Sequence, residues 1–312
     1  MHVKTLKEVE TEVTQLLSDL IRINTTNPPG NETAAAKYLV ENLSLEDFNC
    51  ELFESALGRG SVITRLKGTG EKPSLLLLSH LDVVAANADE WSVDPFGGLV
   101  KDGYVWGRGA LDMKGMTAIE VMTLKLLKRN NVKLEGDVVL AATADEEQGG
   151  LAGVDYLLRS CPEKIFADYV LNEGGGSAFP TQNKNVYMVQ TAEKGLLWLK
   201  VKVKGTPGHG SMPDLADNAI MRMNKVIEKL GNYRSQVLLV PTVTRFLNEV
   251  AREDANLQQP ISRLLANPEL SDQVLDELAK TAKSFAEEIR SRIRMTITPT
   301  IIHGGEGKRD SF

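Results

Sequence analysis

The sequence contains few cysteine, histidine and aromatic residues: 2 Cys, 4 His and 5% aromatic residues among 312. Cys50 and Cys161 stand far apart in unrelated contexts, so we expect reduced thiols of a cytoplasmic protein rather than a disulfide framework. The sequence has no run of Lys or Arg and carries a net charge of −6, which argues against a nucleic-acid partner. The longest apolar runs, such as residues 75–78, are too short for a bilayer, and the first residues carry no apolar signal region. We therefore expect no membrane partner.

The N-terminal part of the chain alternates helix-like and strand-like segments. Apolar residues at helical spacing predict helices over residues 4–22, 33–43, 114–128 and 151–158. Apolar runs of strand length cover residues 61–66, 75–79, 137–142 and 168–172. This order is typical of an α/β domain with a mostly parallel sheet, in which ligands bind at the carboxyl ends of the strands.

The pattern changes after about residue 193. Residues 196–204 alternate in polarity and residues 295–302 form an apolar run, so both predict strands. Residues 218–230 and 270–294 predict helices. We therefore expect a second, smaller α+β domain in this part of the chain.

Histidine and acidic residues follow four of the predicted elements. His80 and Asp82 end one strand, Asp112 follows a glycine-rich turn, Glu146 and Glu147 follow another strand, and Glu173 follows the last. Taken singly, Asp112 could be a helix N-cap and the adjacent acids a solvated loop. Taken together, these imidazole and carboxylate ligands indicate a site for zinc or a similar divalent ion. Two adjacent glutamates further suggest that one binds metal while its neighbour accepts a proton from water.

The order of these motifs resembles a known family. The motifs are His80-x-Asp82, Gly107-Arg108-Gly109 with Asp112-x-Lys114-Gly115, Glu146-Glu147 and Asn172-Glu173. They are similar to those of the co-catalytic di-zinc metallopeptidases and deacylases. That family includes carboxypeptidase G, carboxypeptidase S, aminoacylase, acetylornithine deacetylase and succinyl-diaminopimelate desuccinylase. The resemblance implies a phosphorylase/hydrolase-like, three-layer α/β catalytic domain and a smaller α+β lid, which serves for dimerisation.

The resemblance also implies a role for each site residue. His80 and Glu173 would bind the first zinc ion, Glu147 the second, and Asp112 would bridge the two. Glu146 would be the general base and Asp82 would orient His80. The family also carries a cis peptide bond after the bridging aspartate, here Asp112–Met113.

The loop at residues 205–213 resembles the lid loop of the family. Its histidine, His209, would reach the active site of a partner subunit and stabilise the tetrahedral oxyanion, and the lid would form a homodimer. We divide the chain accordingly into a catalytic part (residues 1–192), a lid (193–303) and a re-entry into the catalytic domain (304–312).

The sequence departs from the family at its C-terminal end. Relatives continue past the lid and supply another histidine to the second zinc site, whereas this chain has no histidine after His303. We expect a C-terminally truncated chain. The family binds two zinc ions per subunit, and here we expect one complete zinc site and one incomplete site. Co²⁺ or Mn²⁺ would be possible substitutes for Zn²⁺.

The function that the resemblance implies is zinc-dependent cleavage of an amide bond. Substrates would be N-acyl amino acids or the C-terminal residues of small peptides. The alternatives are a di-/tripeptidase or aminopeptidase of the related di-zinc group, and a catalytically impaired fragment that still dimerises or binds a partner.

Overall fold

A computed structural model describes residues 5–174, 176, 178–180 and 184–304 of the chain. The chain divides into two compact units, Met1–Gly174 and Gly175–Phe312, and each is described by itself. The domain boundary after residue 192 stays a prediction. Residues 305–312, which form most of the predicted re-entry segment, lie outside the described residues.

The first unit contains the predicted alternation of helices and strands. Its helices are α1 (Leu6–Arg22), α2 (Glu32–Ser44), α3 (Lys114–Arg129), α4 (Val154–Ser160) and α5 (Pro162–Ile165). Its strands are β1 (Cys50–Glu54), β2 (Gly60–Leu66), β3 (Leu75–His80), β4 (Leu99–Lys101), β5 (Tyr104–Trp106), β6 (Val138–Thr143) and β7 (Tyr169–Leu171). The four predicted strands and four predicted helices of this unit are confirmed. Strand β1 and the β4–β5 hairpin were not predicted, because each is short and largely accessible to solvent.

The central sheet has the strand order β1-β2-β6-β3-β7. β2 is antiparallel to both of its neighbours, whereas β6, β3 and β7 are parallel to one another. Four of the five strands therefore point in the same direction, which confirms the mostly parallel sheet. The parallel register pairs Ser79 with Ala142 and His80 with Thr143. The ends of β3 and β6 consequently lie side by side.

Alternating side chains of the sheet enter two separate clusters, as the two-residue period of a strand requires. Val62, Leu77 and Leu140 pack with residues of α1, α2 and α3. Their chain neighbours, represented by Ile63 and Leu76, pack with residues of α4 and α5. Because β3 is buried by both clusters, the position of its last residue is well determined.

The second unit is mainly helical in the part that the structure describes. A hairpin of β8 (Ala178–Pro180) and β9 (Asn185–Tyr187) precedes α6 (Ala219–Asn232), α7 (Pro241–Glu253), α8 (Ala255–Ala266) and α9 (Ser271–Arg292). α7, α8 and α9 share a core that includes Leu247, Ile261 and Leu275. α9 is interrupted by non-helical backbone at Ala282. No helix among the described residues is long and apolar enough to cross a membrane.

The second unit differs from its prediction in its strands. Residues 196–204 and 295–302 form no strand in the structure, although their sequence pattern predicted one each. An alternating pattern specifies only that one face is apolar, and a strand forms when a neighbour completes its hydrogen bonds. Here the apolar side chains of Leu197 and Leu199 are exposed. The regular elements that the structure describes in residues 193–303 are helices, and the α+β composition expected for that range stays a prediction.

Candidate metal centre

His80 is the centre of the carboxylate cluster that the sequence predicts. It is the last residue of β3 and is only 2% exposed. Its Nε2 atom lies 3.0 Å from Oδ1 of Asp112, 3.5 Å from Oε1 of Glu173 and 3.8 Å from Oε2 of Glu146. The structure thus brings these four predicted residues together at the carboxyl end of the parallel strands.

The carboxylates near His80 belong to two other segments of the chain. Glu173 follows β7, which pairs in parallel with β3. Asp112 lies in the glycine-rich turn that precedes α3. This turn requires glycine at position 109, because Gly109 has a φ of +82° and a Cβ there would lie 2.6 Å from the Val83 side chain. The Asp112–Met113 peptide bond is cis, which confirms the prediction made from the resemblance.

The donor atoms fit a divalent cation. His80, Asp112 and Glu173 each offer one ligand atom, and the three atoms lie within 4.8 Å of one another. One imidazole nitrogen and two carboxylate oxygens suit zinc and similar borderline ions. Asp112 is largely exposed while His80 is buried, so the group is open on one side.

Asp82 lies behind His80 and is fully buried. Nδ1 of His80 is 3.0 Å from the backbone oxygen of Asp82 and 3.4 Å from its Oδ1. In the tautomer with the hydrogen on Nδ1, the Nδ1–H group donates a hydrogen bond to Asp82. Nε2 then keeps its lone pair for a metal ion. The Asp82 carboxylate also accepts hydrogen bonds from the backbone amides of Glu146 (3.0 Å) and Glu147 (3.1 Å). One side chain thus contacts both the histidine and the paired glutamates.

The paired glutamates lie in a 3₁₀ turn, Glu146–Gln148, directly after β6. The turn begins at Asp145, whose φ of 74° is in the left-handed region. The side chain of Glu146 is about half exposed. Glu147 is not part of the group formed by His80, Asp112 and Glu173.

The negative charges perturb one another. Burial alone would lower the pKa of His80, but the hydrogen bond with Asp82 and the charges of Glu173 and Glu146 raise it to about 9. Desolvation raises the pKa of Glu147, and the charge of Asp112 raises it further. Desolvation likewise raises the pKa of Glu173. The acids therefore repel one another and favour a positive charge among them.

Two residues near the centre received no role from the sequence: Lys114, which was quoted only as part of a motif, and Asn27, which was missed. Lys114 is fully buried, and its ammonium donates to the backbone oxygens of Leu20 and Ile23. Asn27 contacts the Asp82 carboxylate from the loop after α1. A lysine in the first turn of an apolar helix and an asparagine within Asn-Pro-Pro-Gly were the available signals.

His209 belongs to the second unit. It lies in an exposed loop, and its Nδ1 is 2.8 Å from the hydroxyl of Ser211. All of the predicted site residues except His209 thus lie in the first unit.

The fold and the donor atoms together define an α/β domain with a candidate divalent-metal centre. Residues 76–302 match the profile of peptidase family M20/M25/M40. The chain is 33% identical over 236 residues to aminoacylase-1 from Sus scrofa, covering 74% of this chain and 56% of that protein. It is 33% identical over 258 residues to a probable succinyl-diaminopimelate desuccinylase from Staphylococcus aureus, covering 79% and 61%.

A solved structure is similar in fold. The M20 family metallo-carboxypeptidase from Sulfolobus solfataricus aligns with a TM-score of 0.56 and 20% identity, covering 76% of this chain and 56% of that one. The chain belongs to peptidase family M20/M25/M40. It spans about half the length of the curated relatives it matches.

Proposed function

We propose that the protein is a cytoplasmic, zinc-dependent hydrolase of amide bonds, acting on N-acyl amino acids or on the C-terminal residues of small peptides. The observation that carries this proposal is the grouping of His80, Asp112 and Glu173 at the carboxyl end of the sheet in a chain of this family. Aminoacylase and desuccinylase relatives support an amide as the substrate bond. A three-layer catalytic domain is part of the same proposal.

The chain's own residues would hold the metal. His80 and Glu173 would bind a first zinc ion, Asp112 would bridge to a second, and Glu147 would bind the second. We propose that the first site is the tighter one, because Glu147 lies outside the three-residue group. A bound zinc ion supplies Lewis acidity toward the amide carbonyl and the attacking water.

Glu146 would move the proton. Its carboxylate oxygen is 3.8 Å from Nε2 of His80, and its exposed side chain is accessible from solvent. It would accept a proton from the attacking water and return that proton to the leaving amine. Asp82 would hold the tautomer of His80 and, through its two backbone contacts, the position of Glu146.

The second unit would contribute in trans. We propose a homodimer formed through the lid, with His209 of the partner subunit donating a hydrogen bond to the oxyanion of the tetrahedral intermediate. The contact between Nδ1 of His209 and Ser211 supports this role, since it orients the ring and directs Nε2 away from Ser211.

Metal titration tests the proposal. We expect about one tightly bound Zn²⁺ per chain and a weaker second, with Co²⁺ or Mn²⁺ as substitutes. His80→Ala should remove the tight site, whereas His303→Ala, a change of an exposed histidine, should leave it intact. A wild-type chain that binds no metal, or a His80→Ala variant that binds as well as the wild type, would refute the metal centre.

Substrate assays test the reaction separately. Glu146→Gln should keep the metal and lose hydrolysis of N-acyl amino acids. If the wild type instead cleaves only free di- or tripeptides, the chain is a peptidase of the related di-zinc group. A metal-loaded chain that cleaves neither class would be the catalytically impaired fragment.

A further inference from the structure

Asn27 joins two buried carboxylates behind the candidate metal centre. Its Nδ2 lies 2.8 Å from Oδ2 of Asp82 and 3.1 Å from Oδ1 of Asp145, so the amide has a separate hydrogen for each. Asn27 itself is 3% exposed. Its loop is held in register with the segment after β3, because its backbone N–H donates to the carbonyl of Val83. The position of this amide is therefore determined by the backbone on which it sits.

Arg59 extends this arrangement from the turn between β1 and β2. Its guanidinium donates Nε and Nη2 to the two carboxylate oxygens of Glu32, at 2.9 and 2.8 Å. The same Nη2 lies 2.6 Å from Oδ1 of Asp145. Glu32 is fully buried, and the side chains of Arg59 and Asp145 are largely buried. A planar guanidinium can satisfy two carboxylates at once, which the ammonium of a lysine does less well.

Asp145 connects these contacts to the paired glutamates. Its second oxygen, Oδ2, accepts from the backbone amide of Ala152, and its own amide donates to Glu32. The Asp145 carboxylate thereby connects the two ends of the loop that carries Glu146 and Glu147, namely residues 145 and 152. Asp82 ties the middle of the same loop through the two glutamate amides.

We propose that Asn27, Arg59 and Glu32 are positioning residues of the metal centre. They act on the metal through Asp82 and Asp145: the first faces His80, and both hold the loop of Glu146 and Glu147. None of the three belongs to the metal-capable group, so they set the geometry of the ligands without contributing one. This inference rests on the proposed metal-dependent function.

Metal affinity is the measurement that distinguishes positioning from general stability. Zn²⁺ affinity is measured by competition with a chromogenic chelator, and the ligand geometry by the absorption spectrum of the Co²⁺ form, both well below the melting temperature. Arg59→Ala and Asn27→Ala should each weaken Zn²⁺ binding about 10- to 100-fold, as loss of an outer partner does at other metal sites. Arg59→Lys should recover part of the loss because it restores the charge.

Arg65→Ala is the matched control. Arg65 also pairs with a carboxylate, Asp137, at 3.0 Å, but at the amino end of β6 and therefore at the opposite edge of the sheet. It should leave Zn²⁺ affinity unchanged. If Arg59→Ala does not fold, Glu32→Gln and Arg59→Lys test the same contacts with smaller changes and should both lower affinity.

The Asn27→Ala, Arg59→Ala double variant tests whether the residues act together. We expect its loss of affinity to be smaller than the product of the two single losses, since both act through Asp145. Wild-type affinity in folded single variants, or an equal loss in Arg65→Ala, would overturn the inference while leaving the metal centre in place. A wild-type chain without metal binding would overturn both.

Discussion

The carboxyl group of Glu120 in α3 is buried with little to compensate for its charge. The residue is 3% exposed, and within the described part of the chain neither carboxylate oxygen has a hydrogen-bond partner. Burial raises the pKa of Glu120 to about 7, against a smaller lowering by the Ser79 hydroxyl. The protonated form is therefore favoured in the folded state well above the pH at which an unfolded chain would lose the proton.

The cost of this arrangement depends on pH. The ordinary pKa is 4.5 and the folded value is about 7. One pKa unit corresponds to about 1.4 kcal/mol, so the full effect is about 3 kcal/mol. Because the folded pKa is raised, the relative stability is fully present below pH 4.5 and is lost as the pH rises through 7. Ionisation of Glu120 should therefore lower the free energy of unfolding of the wild type between pH 5 and pH 8. A protein with a neutral side chain at this position would not show this contribution.

Glu120→Gln removes the ionisation while nearly preserving the shape. Between pH 5 and pH 8 we expect the variant to gain about 2–3 kcal/mol in free energy of unfolding relative to wild type, measured by urea denaturation followed by circular dichroism. Glu41→Gln, on the exposed face of α2, is the control and should follow wild type at both pH values. If the wild-type and Glu120→Gln stabilities stay parallel from pH 5 to pH 8, the fold does not raise the pKa of Glu120 and the reasoning is wrong.

Three further predictions concern stability. Burial alone would raise the pKa of Asp137, but hydrogen bonds from a backbone amide and two cationic side chains lower it to about 2. Asp137→Asn should therefore reduce stability at neutral pH, with a difference from wild type that disappears as the pH falls from 3.8 to about 2 in acid unfolding. Gly153→Ala should destabilise the first unit by about 3 kcal/mol, because the new Cβ would lie 1.8 Å from the Ala144 carbonyl oxygen. Gly231→Ala, in α6 with no atom within 4 Å of a built Cβ, should instead gain about 0.5–1 kcal/mol; equal melting temperatures for the two variants would contradict this.

The first unit could be predicted from the sequence because its signals are local and strong. β3 is a run of four leucines, and its two-sided burial is typical of a strand inside a parallel sheet. His80 ends the same strand two residues after the last leucine, so its place at the strand end needed only the strand itself. Glu173 follows from the rule that parallel strands end at the same edge, whereas the place of Asp112, in the turn before α3, was expected only from the resemblance.

The supporting residues of the site could not be predicted in the same way. Arg59 lies in a short turn, and nothing near it in the sequence shows that Glu32 and Asp145 will face it. Such contacts between distant segments depend on how the helices pack on the sheet. The missing strands of the second unit have the opposite cause: their local pattern is strong, but strand pairing is a property of two segments and not of one.

The buried acids of the first unit differ in the groups that surround them. This difference distinguishes acids that support the fold from acids that are candidate metal ligands. Asp145 accepts hydrogen bonds from an arginine, an amide side chain and a backbone N–H. Glu120 has no such partners among the described residues, and its pKa rises. Glu173 and Glu147 lie between these cases: desolvation raises their pKa values, and the charge of His80 offsets part of that rise. A cation there would supply the charge that Arg59 supplies to Asp145. The carboxylates of the candidate centre are thus held in place by the fold but compensated only in part by it, as expected for ligands of a metal ion.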